Sequence, residues 1–414
     1  MRPRSNRAEC AVRLVSQDFD FPHEPAFPGD PRMNFKQNDP MGDFGRLHRR
    51  AVAGKRVRVV FLGGSLTWGA QATNPQVSSY RALISRKLEE HYPQARFHFW
   101  DAAIGGTGSQ LAAFRLDRDV LSQTPDLVFL DFTVNDDAWA IPDPDRLAAY
   151  ESLVRRLVQV GVPLVQMILP AKKDVLPNPP ARPLDAKHRE IGLAYGLAIA
   201  DVVMLAQSKV LHGHVTPDEL WDVPTDAVHP GDGGYALYAQ AAWEALQQAV
   251  FRQAPCRLPA QMLHTNTYLS VNRFQLAALE QLPRGWKTGK PCRSAIAYDF
   301  MPSRWMDTVV IAETAKEESP EPLALNVWGS NLLLFGEATM QSGGYGVRID
   351  GREAKRYPIG STSLHGNGRY VEMVAQNLDV CIPHRVEIIP ELASGQELRL
   401  ESLCVAGGPA RVER

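Results

Sequence analysis

The sequence predicts a three-layer α/β/α sandwich built on a parallel sheet, followed by a separate all-β domain. Two observations carry this. Between residues 55 and 255, short apolar runs rich in β-branched residues alternate with stretches of helical period. From residue 260 to 414, strand-like pieces separated by turn residues replace that alternation. Apolar strands alternating with amphipathic helices are what a parallel sheet covered on both faces requires, because each strand is buried on two sides.

The elements follow in order. The run Val57 to Leu62 is β-branched and apolar and ends in Gly63-Gly64, as a buried strand entering a tight turn should. A helix is expected over 79–92, with Leu83, Ile84 and Leu88 on one face. Strand 96–101 (RFHFWD) leads to a helix over 109–121 that opens at Ser109. Strand 126–133, helix 144–160, strand 163–169, helix 184–195 and strand 198–203 come next, and helix 233–251 closes the series. Right-handed crossovers make this a doubly wound, flavodoxin-like sandwich. Ligands of such sheets lie beyond the carboxyl ends of the strands, which directs attention to the loops after residues 62, 101, 133 and 169.

Beyond the helical series, LALNVWG, YGVRIDG, RVEIIPEL and ELRLESLCVAG read as strands of a jelly-roll-like sandwich. Asp350-Gly351 between VRI and REAKRY is a short-hairpin signal. Residues 1–54 are polar, rich in Pro, Asp and Arg and without sustained period, and are expected to form an irregular arm. The domain reading is therefore an arm at 1–54, an α/β/α domain at 55–255 and a β-sandwich at 260–414.

Composition narrows the function. The 414 residues are 44% hydrophobic and 22% charged with a net charge of -1, ordinary for a globular chain with a real core. Nucleic-acid binding needs a concentrated basic surface, and the short clusters Arg46–Arg50 and Lys55–Arg58 fit solvated strand flanks better. No stretch approaches the ~18 apolar residues of a membrane span. Cys10, Cys256, Cys292, Cys381 and Cys404 contain no C-x-x-C pair, so neither a disulfide framework nor a zinc site is expected. As written the chain reads as cytoplasmic; a secreted or periplasmic protein whose leader had been removed would read the same.

Four strand-end segments carry chemistry. Ser65 follows the first strand in FLGGSLTWG, where two glycines let the chain turn sharply and present a side chain at the sheet's mouth. A serine hydroxyl needs a base beside it to act as a nucleophile. Taken alone, Ser65 fits a helix N-cap equally well. In DAVHPGDGGY, Asp226 and His229 lie three positions apart, close enough for the carboxylate to orient the imidazole. A loop histidine beside a capping aspartate is the bland alternative. AAIGGTGS (102–109) and TVNDDA (133–138) follow the second and third strands. A glycine amide and an asparagine side chain suit stabilisation of a developing oxyanion. Helix packing and a turn are the ordinary uses of the same residues.

Ser65 in GGSLT, Gly106 in AAIGG, Asn135 in VND and His229 in DAVHP resemble, in order, the four blocks of the SGNH (GDSL-like) hydrolases. The resemblance spans residues 55–250. It implies a serine esterase without metal or organic cofactor, with Ser65, Asp226 and His229 as triad. It also implies an oxyanion hole of the Ser65 amide, the Gly106 amide and the Asn135 side chain. Gly64 departs from the usual pattern, since aspartate is common there, and this looks more like the carbohydrate-esterase side of the family. The substrate favoured is an acetylated carbohydrate or polysaccharide. A general lipase-like acylhydrolase, and a carbohydrate-binding or assembly protein on a weakly active scaffold, are the alternatives.

His212-Gly213-His214 lacks a third ligand for a metal. Asp131, Asp136 and Asp137 crowd one strand end, but two of them are adjacent, which disfavours a glycosidase pair. Trp68 and Trp139 flank the serine and asparagine blocks and suit either a substrate floor or core packing. The Pro-rich stretch 170–183 is either a cleft wall or a plain connection. The β domain, with Trp286, Trp305 and Trp328, fits a glycan module, a cleft wall or a homo-oligomer interface.

Overall fold

The computed structural model describes residues 42–292, 306–314, 318–357 and 367–413. These fall in one unit, Pro40–Arg414. The larger part of the expected N-terminal arm, residues 1–41, and Trp305 lie outside the described residues.

The first helix, α1 (Phe44–Val52), lies inside the stretch expected to be irregular. Asp43 caps it by accepting the Gly45 amide, and Phe44, Leu47 and Ala51 are buried. One apolar face on a short, Arg-rich segment was too brief to register as a period. Five strands then form a parallel sheet: β1 (Arg56–Gly63), β2 (Arg96–Ala103), β3 (Leu127–Leu130), β4 (Leu164–Ile168) and β5 (Ala198–Asp201), in the order β2-β1-β3-β4-β5. This is the flavodoxin-like order. Leu62 pairs with Ala102 on one side and Leu130 on the other, so three successive strands end at one level. Their following loops open side by side.

The helices are α2 (Ser65–Trp68), α3 (Tyr80–His91), α4 (Ser109–Asp119), α5 (Pro144–Gln159), α6 (Pro183–Ala194), α7 (Val202–Leu211), α8 (Pro217–Leu220) and α9 (Asp232–Phe251). Helices α1, α3 and α7 pack on α9, whereas α4 packs on α5. The expected strand 198–203 ends at Asp201. There the Asp201 carboxylate accepts the Met204 amide and starts α7, so Val202 and Val203 are helical despite their β-branching.

The rest is a β-sandwich. One sheet runs β13 (Asn367–Ala375), β10 (Asn331–Thr339), β15 (Glu397–Ala406), β8 (Val309–Glu313), β7 (Trp286–Gly289), with β6 (Val271–Gln275) also on β15. The other runs β12 (Arg352–Tyr357), β11 (Gly344–Ile349), β14 (His384–Glu391), β9 (Leu323–Trp328), β16 (Arg411–Glu413). The β11–β12 turn carries Asp350 and Gly351 with φ of 51° and 77°, the left-handed pair that a tight hairpin needs.

Strand β10 explains how the two parts join. Leu332 and Leu334 point into the sandwich core, while Leu333 and Phe335 join the core of the α/β part. On β15, Leu403 and Val405 face inward and Cys404 and Ala406 face the helices. Period-two alternation therefore places apolar residues on both faces of these strands. A Leu→Ala change at 333 or 334 is worth about 2–5 kcal/mol at such fully enclosed sites.

Candidate active site

Ser65 is the first residue of α2, directly after β1 and Gly64. Its amide opens the helix and has no intrahelical carbonyl to meet. Its Oγ lies 2.7 Å from His229 Nε2. His229 Nδ1 lies 2.7 Å from Asp226 Oδ2, and the other oxygen of Asp226 accepts the backbone amides of His229 (2.9 Å) and Val228 (3.0 Å). A carboxylate only accepts, so Nδ1 carries the proton and Nε2 offers its lone pair to the Ser65 hydroxyl. Burial works against the Asp226 charge, but the hydrogen bonds from the His229 amide and ring outweigh it and hold the carboxyl below the usual range.

The histidine loop is held from several sides. Trp221 Nε1 donates to the Val228 carbonyl at 3.2 Å, and the Lys172 amide donates to the Ala227 carbonyl at 2.8 Å. The Lys172 contact assigns part of the Pro-rich stretch a role: its start, Lys172–Val175, is a 3-10 turn braced on this loop, while 176–181 is exposed. Gln71 Nε2 adds a donor to Asp226 Oδ2 at 3.1 Å. Gln71 has a φ of 68° in an irregular loop, and nothing in its sequence surroundings marks it as a partner of Asp226.

Asn135 lies in the loop after β3, half-buried. A Cβ placed on Gly64 would fall 2.1 Å from Asn135 Oδ1, so the missing side chain at 64 is the room the Asn135 amide occupies. This gives the glycine in GGSLT a physical reason and puts Asn135 against the residue before Ser65. Gly106 is exposed, with a φ of 65°, while its neighbour Gly105 is buried. The loop carrying it is tied to the Asn135 loop: the Ser109 amide donates to Asp136 Oδ1 at 2.9 Å.

Beneath these loops sit two buried carboxyls. Asp131 and Asp136 are each pushed up to about 7, chiefly by burial, against the opposing hydrogen bonds from Thr67 and Thr133 to the first and from Ser109 to the second. Thr67 Oγ1 also contacts Tyr80 OH at 3.0 Å. Asp137 is exposed and stands apart from this pair.

The two tryptophans are engaged differently. Trp68 ends α2, half-buried, with its carbonyl accepting from Arg81 Nε at 3.1 Å. The Trp139 indole donates to Asp174 at 2.7 Å, and Lys173 Nζ stands 3.4 Å from the ring centroid. Trp139 is thus bound into the loop after β4. His212 and His214 are exposed with ring centroids 6.1 Å apart, and among the described residues no group of three or more His, Cys, Asp or Glu is arranged to hold a metal ion. Among those residues no helix is long and apolar enough to cross a membrane.

Residues 61–237, which include Ser65, Gly106, Asn135, Asp226 and His229, match the GDSL-like lipase/acylhydrolase family. The matched stretch runs from within β1 to within α9 and covers most of the α/β part. The chain is a carboxylic ester hydrolase. A comparison with curated proteins finds no match. Among solved structures, the chain resembles a two-domain esterase (CEX) active on acetylated mannans, which was also crystallised with mannopentaose. The identity is 22% and the TM-score 0.72, over 89% of this chain and 98% of the other. At that identity the likeness is one of fold, and it extends over both the α/β part and the β-sandwich. Axe2, an acetylxylan esterase from Geobacillus stearothermophilus, aligns at 21% identity and a TM-score of 0.39, over 46% of this chain and 94% of that one.

Proposed function

We propose that this GDSL-like hydrolase removes acetyl groups from a carbohydrate through a Ser65–His229–Asp226 triad and an acyl-enzyme. The observation that carries the reading is the hydrogen-bonded line from Asp226 through His229 to Ser65, 2.7 Å at each step. His229 Nε2 takes the Ser65 proton as Oγ attacks the ester carbonyl carbon. The imidazolium so formed is stabilised by the ionised Asp226, and it returns the proton to the leaving sugar oxygen. Water then repeats the sequence on the acyl-enzyme and releases acetate. The oxyanion of each tetrahedral intermediate is received by the Ser65 amide, the Gly106 amide and the Asn135 side chain, each donor being worth about 10²–10³ in rate.

Support for the carbohydrate comes from the likeness of fold, over 89% of this chain, to an esterase active on acetylated mannans. The test uses wild type and Ser65→Ala on p-nitrophenyl acetate, butyrate and octanoate, with acetylated mannan and acetylated xylan alongside. The expected result is preference for acetate, acetate release from a polysaccharide and a dead variant. Preference for octanoate replaces the substrate with a longer acyl ester and leaves the triad standing. Full activity in Ser65→Ala removes the triad.

A further inference from the structure

The carboxylate of Asp145 is a junction between the β-sandwich and the loops around Ser65. It lies in the first turn of α5, half-buried. Four side chains donate to it. Asn331 Nδ2 of β10 meets Oδ1 at 2.6 Å. Oδ2 receives Tyr268 OH at 2.7 Å, Gln376 Nε2 at 3.0 Å and Gln110 Nε2. A carboxylate oxygen only accepts, so each of these contacts is a donation to Asp145. Asn331 and Gln376 belong to the sandwich, Tyr268 to the connection between the two parts, and Gln110 to the first turn of α4.

The position of Gln110 gives the junction its meaning. It follows Ser109 at the start of α4, and the segment Gly106–Gly108 just before that helix is the loop that carries Gly106. Ser109 is held on two further sides, its amide on Asp136 and its hydroxyl on the Arg146 carbonyl at 3.1 Å. Asp136 follows Asn135, and Arg146 follows Asp145. The two loops that carry Gly106 and Asn135 are thereby clamped to each other and to the start of α5, and the start of α5 is clamped to the sandwich. Tyr268 is fully buried and edge-on to Phe114 of α4 at 5.8 Å, which fixes its hydroxyl against Asp145.

We propose that Asp145 is a positioning residue through which the β-sandwich sets the placement of the Gly106 amide for the transition state. This rests on the reading of Gly106 and Asn135 as oxyanion donors. Asp145 touches no reacting atom; it acts through Gln110. A donor moved by a fraction of an ångström still permits substrate binding but loses stabilisation of the tetrahedral state, so the effect falls on kcat and spares KM.

The experiment measures kcat and KM on p-nitrophenyl acetate, and the inhibition constant of a trifluoromethyl ketone that forms a tetrahedral adduct on the serine. The variants are Gln110→Ala, Gln376→Ala, their double, Asp145→Asn and Asn135→Ala in the full chain. Gln376 is exposed, so its truncation keeps the test alive if Asp145→Asn does not fold. The expected result for Gln376→Ala and Gln110→Ala is a kcat about tenfold lower, KM within about twofold and ketone binding weakened in step with kcat. The double variant is expected to lose no more than Gln110→Ala alone, because both losses pass through one residue. Unchanged kcat in these variants, or equal shifts in kcat and KM, overturns the proposal. If Asn135→Ala lowers kcat while the Gln variants do not, only the junction fails. If Asn135→Ala also leaves kcat intact, the oxyanion reading itself fails.

Discussion

Among the described residues, two histidine–aspartate pairs share nearly the same local geometry, one in each part. In the α/β part, His229 Nδ1 meets Asp226 Oδ2 at 2.7 Å, and the His229 amide meets Oδ1 at 2.9 Å. In the sandwich, His384 Nδ1 meets Asp350 Oδ2 at 2.7 Å, and the Arg385 amide meets Oδ1 at 2.8 Å. The difference is the third partner. His229 Nε2 faces the Ser65 hydroxyl, which can donate, so this nitrogen is placed to accept a proton. His384 Nε2 faces the Asp379 carbonyl at 2.9 Å, which can only accept. Both nitrogens of His384 must then donate, which is the imidazolium. Burial opposes that charge, but the Asp350 carboxylate and the Asp379 carbonyl prevail and raise the His384 pKa above its ordinary value. A histidine–aspartate pair is thus a base or a structural cation according to the atom beyond it.

The comparison breaks most readily through activity. His229→Ala is expected to lower kcat on p-nitrophenyl acetate by about 10⁴ or more, whereas His384→Ala changes it by less than about twofold in protein that remains folded. Comparable losses in the two variants would erase the distinction. A sharper version replaces only the carboxylates. Asp226→Asn lets the ring adopt the wrong tautomer and should cost about 10³–10⁴ in kcat, with the chain still folded by circular dichroism, while Asp350→Asn leaves kcat alone. The smallest effect is on stability. The raised pKa of His384 means its stabilisation is complete below the unfolded-state value and is lost as pH rises through the folded one. His384→Gln should therefore lower Tm by about 2 °C near pH 5.5 and by much less near pH 9. A deficit that grows with pH contradicts a charged ring.

How far each part was legible follows from the forces that shape it. The parallel sheet announced itself because strands buried on both faces become continuous apolar runs, and the boundaries of α3, α5 and α9 fall within a residue or two of the periodicity. Asp226 and His229 are near neighbours in sequence, so their contact was readable; their meeting with Ser65, 164 positions away, needed the fold. Strand β10, NLLLFGEAT, gives no alternating signal because it shows no polar face, being shared between two cores. Helix α7 was hidden by two valines that a single capping aspartate overrides. Gln71 and Asp145 left no trace in the sequence, since their partners come from distant segments and the residues themselves are ordinary loop and first-turn types. Trp139 suits either a pocket or a core by its place in the sequence, and its indole donation to Asp174 is a contact only the fold supplies.

The contact between Gly64 and Asn135 has an evolutionary side. The two positions are 71 apart in the chain, yet the amide of one fills the space that any side chain on the other would take. Their substitutions are therefore epistatic. An aspartate introduced at 64, as in the commoner form of the first block, forces Asn135 to rotate before it fits. A variant library that samples positions 64 and 135 together reaches combinations that a library sampling them one at a time discards.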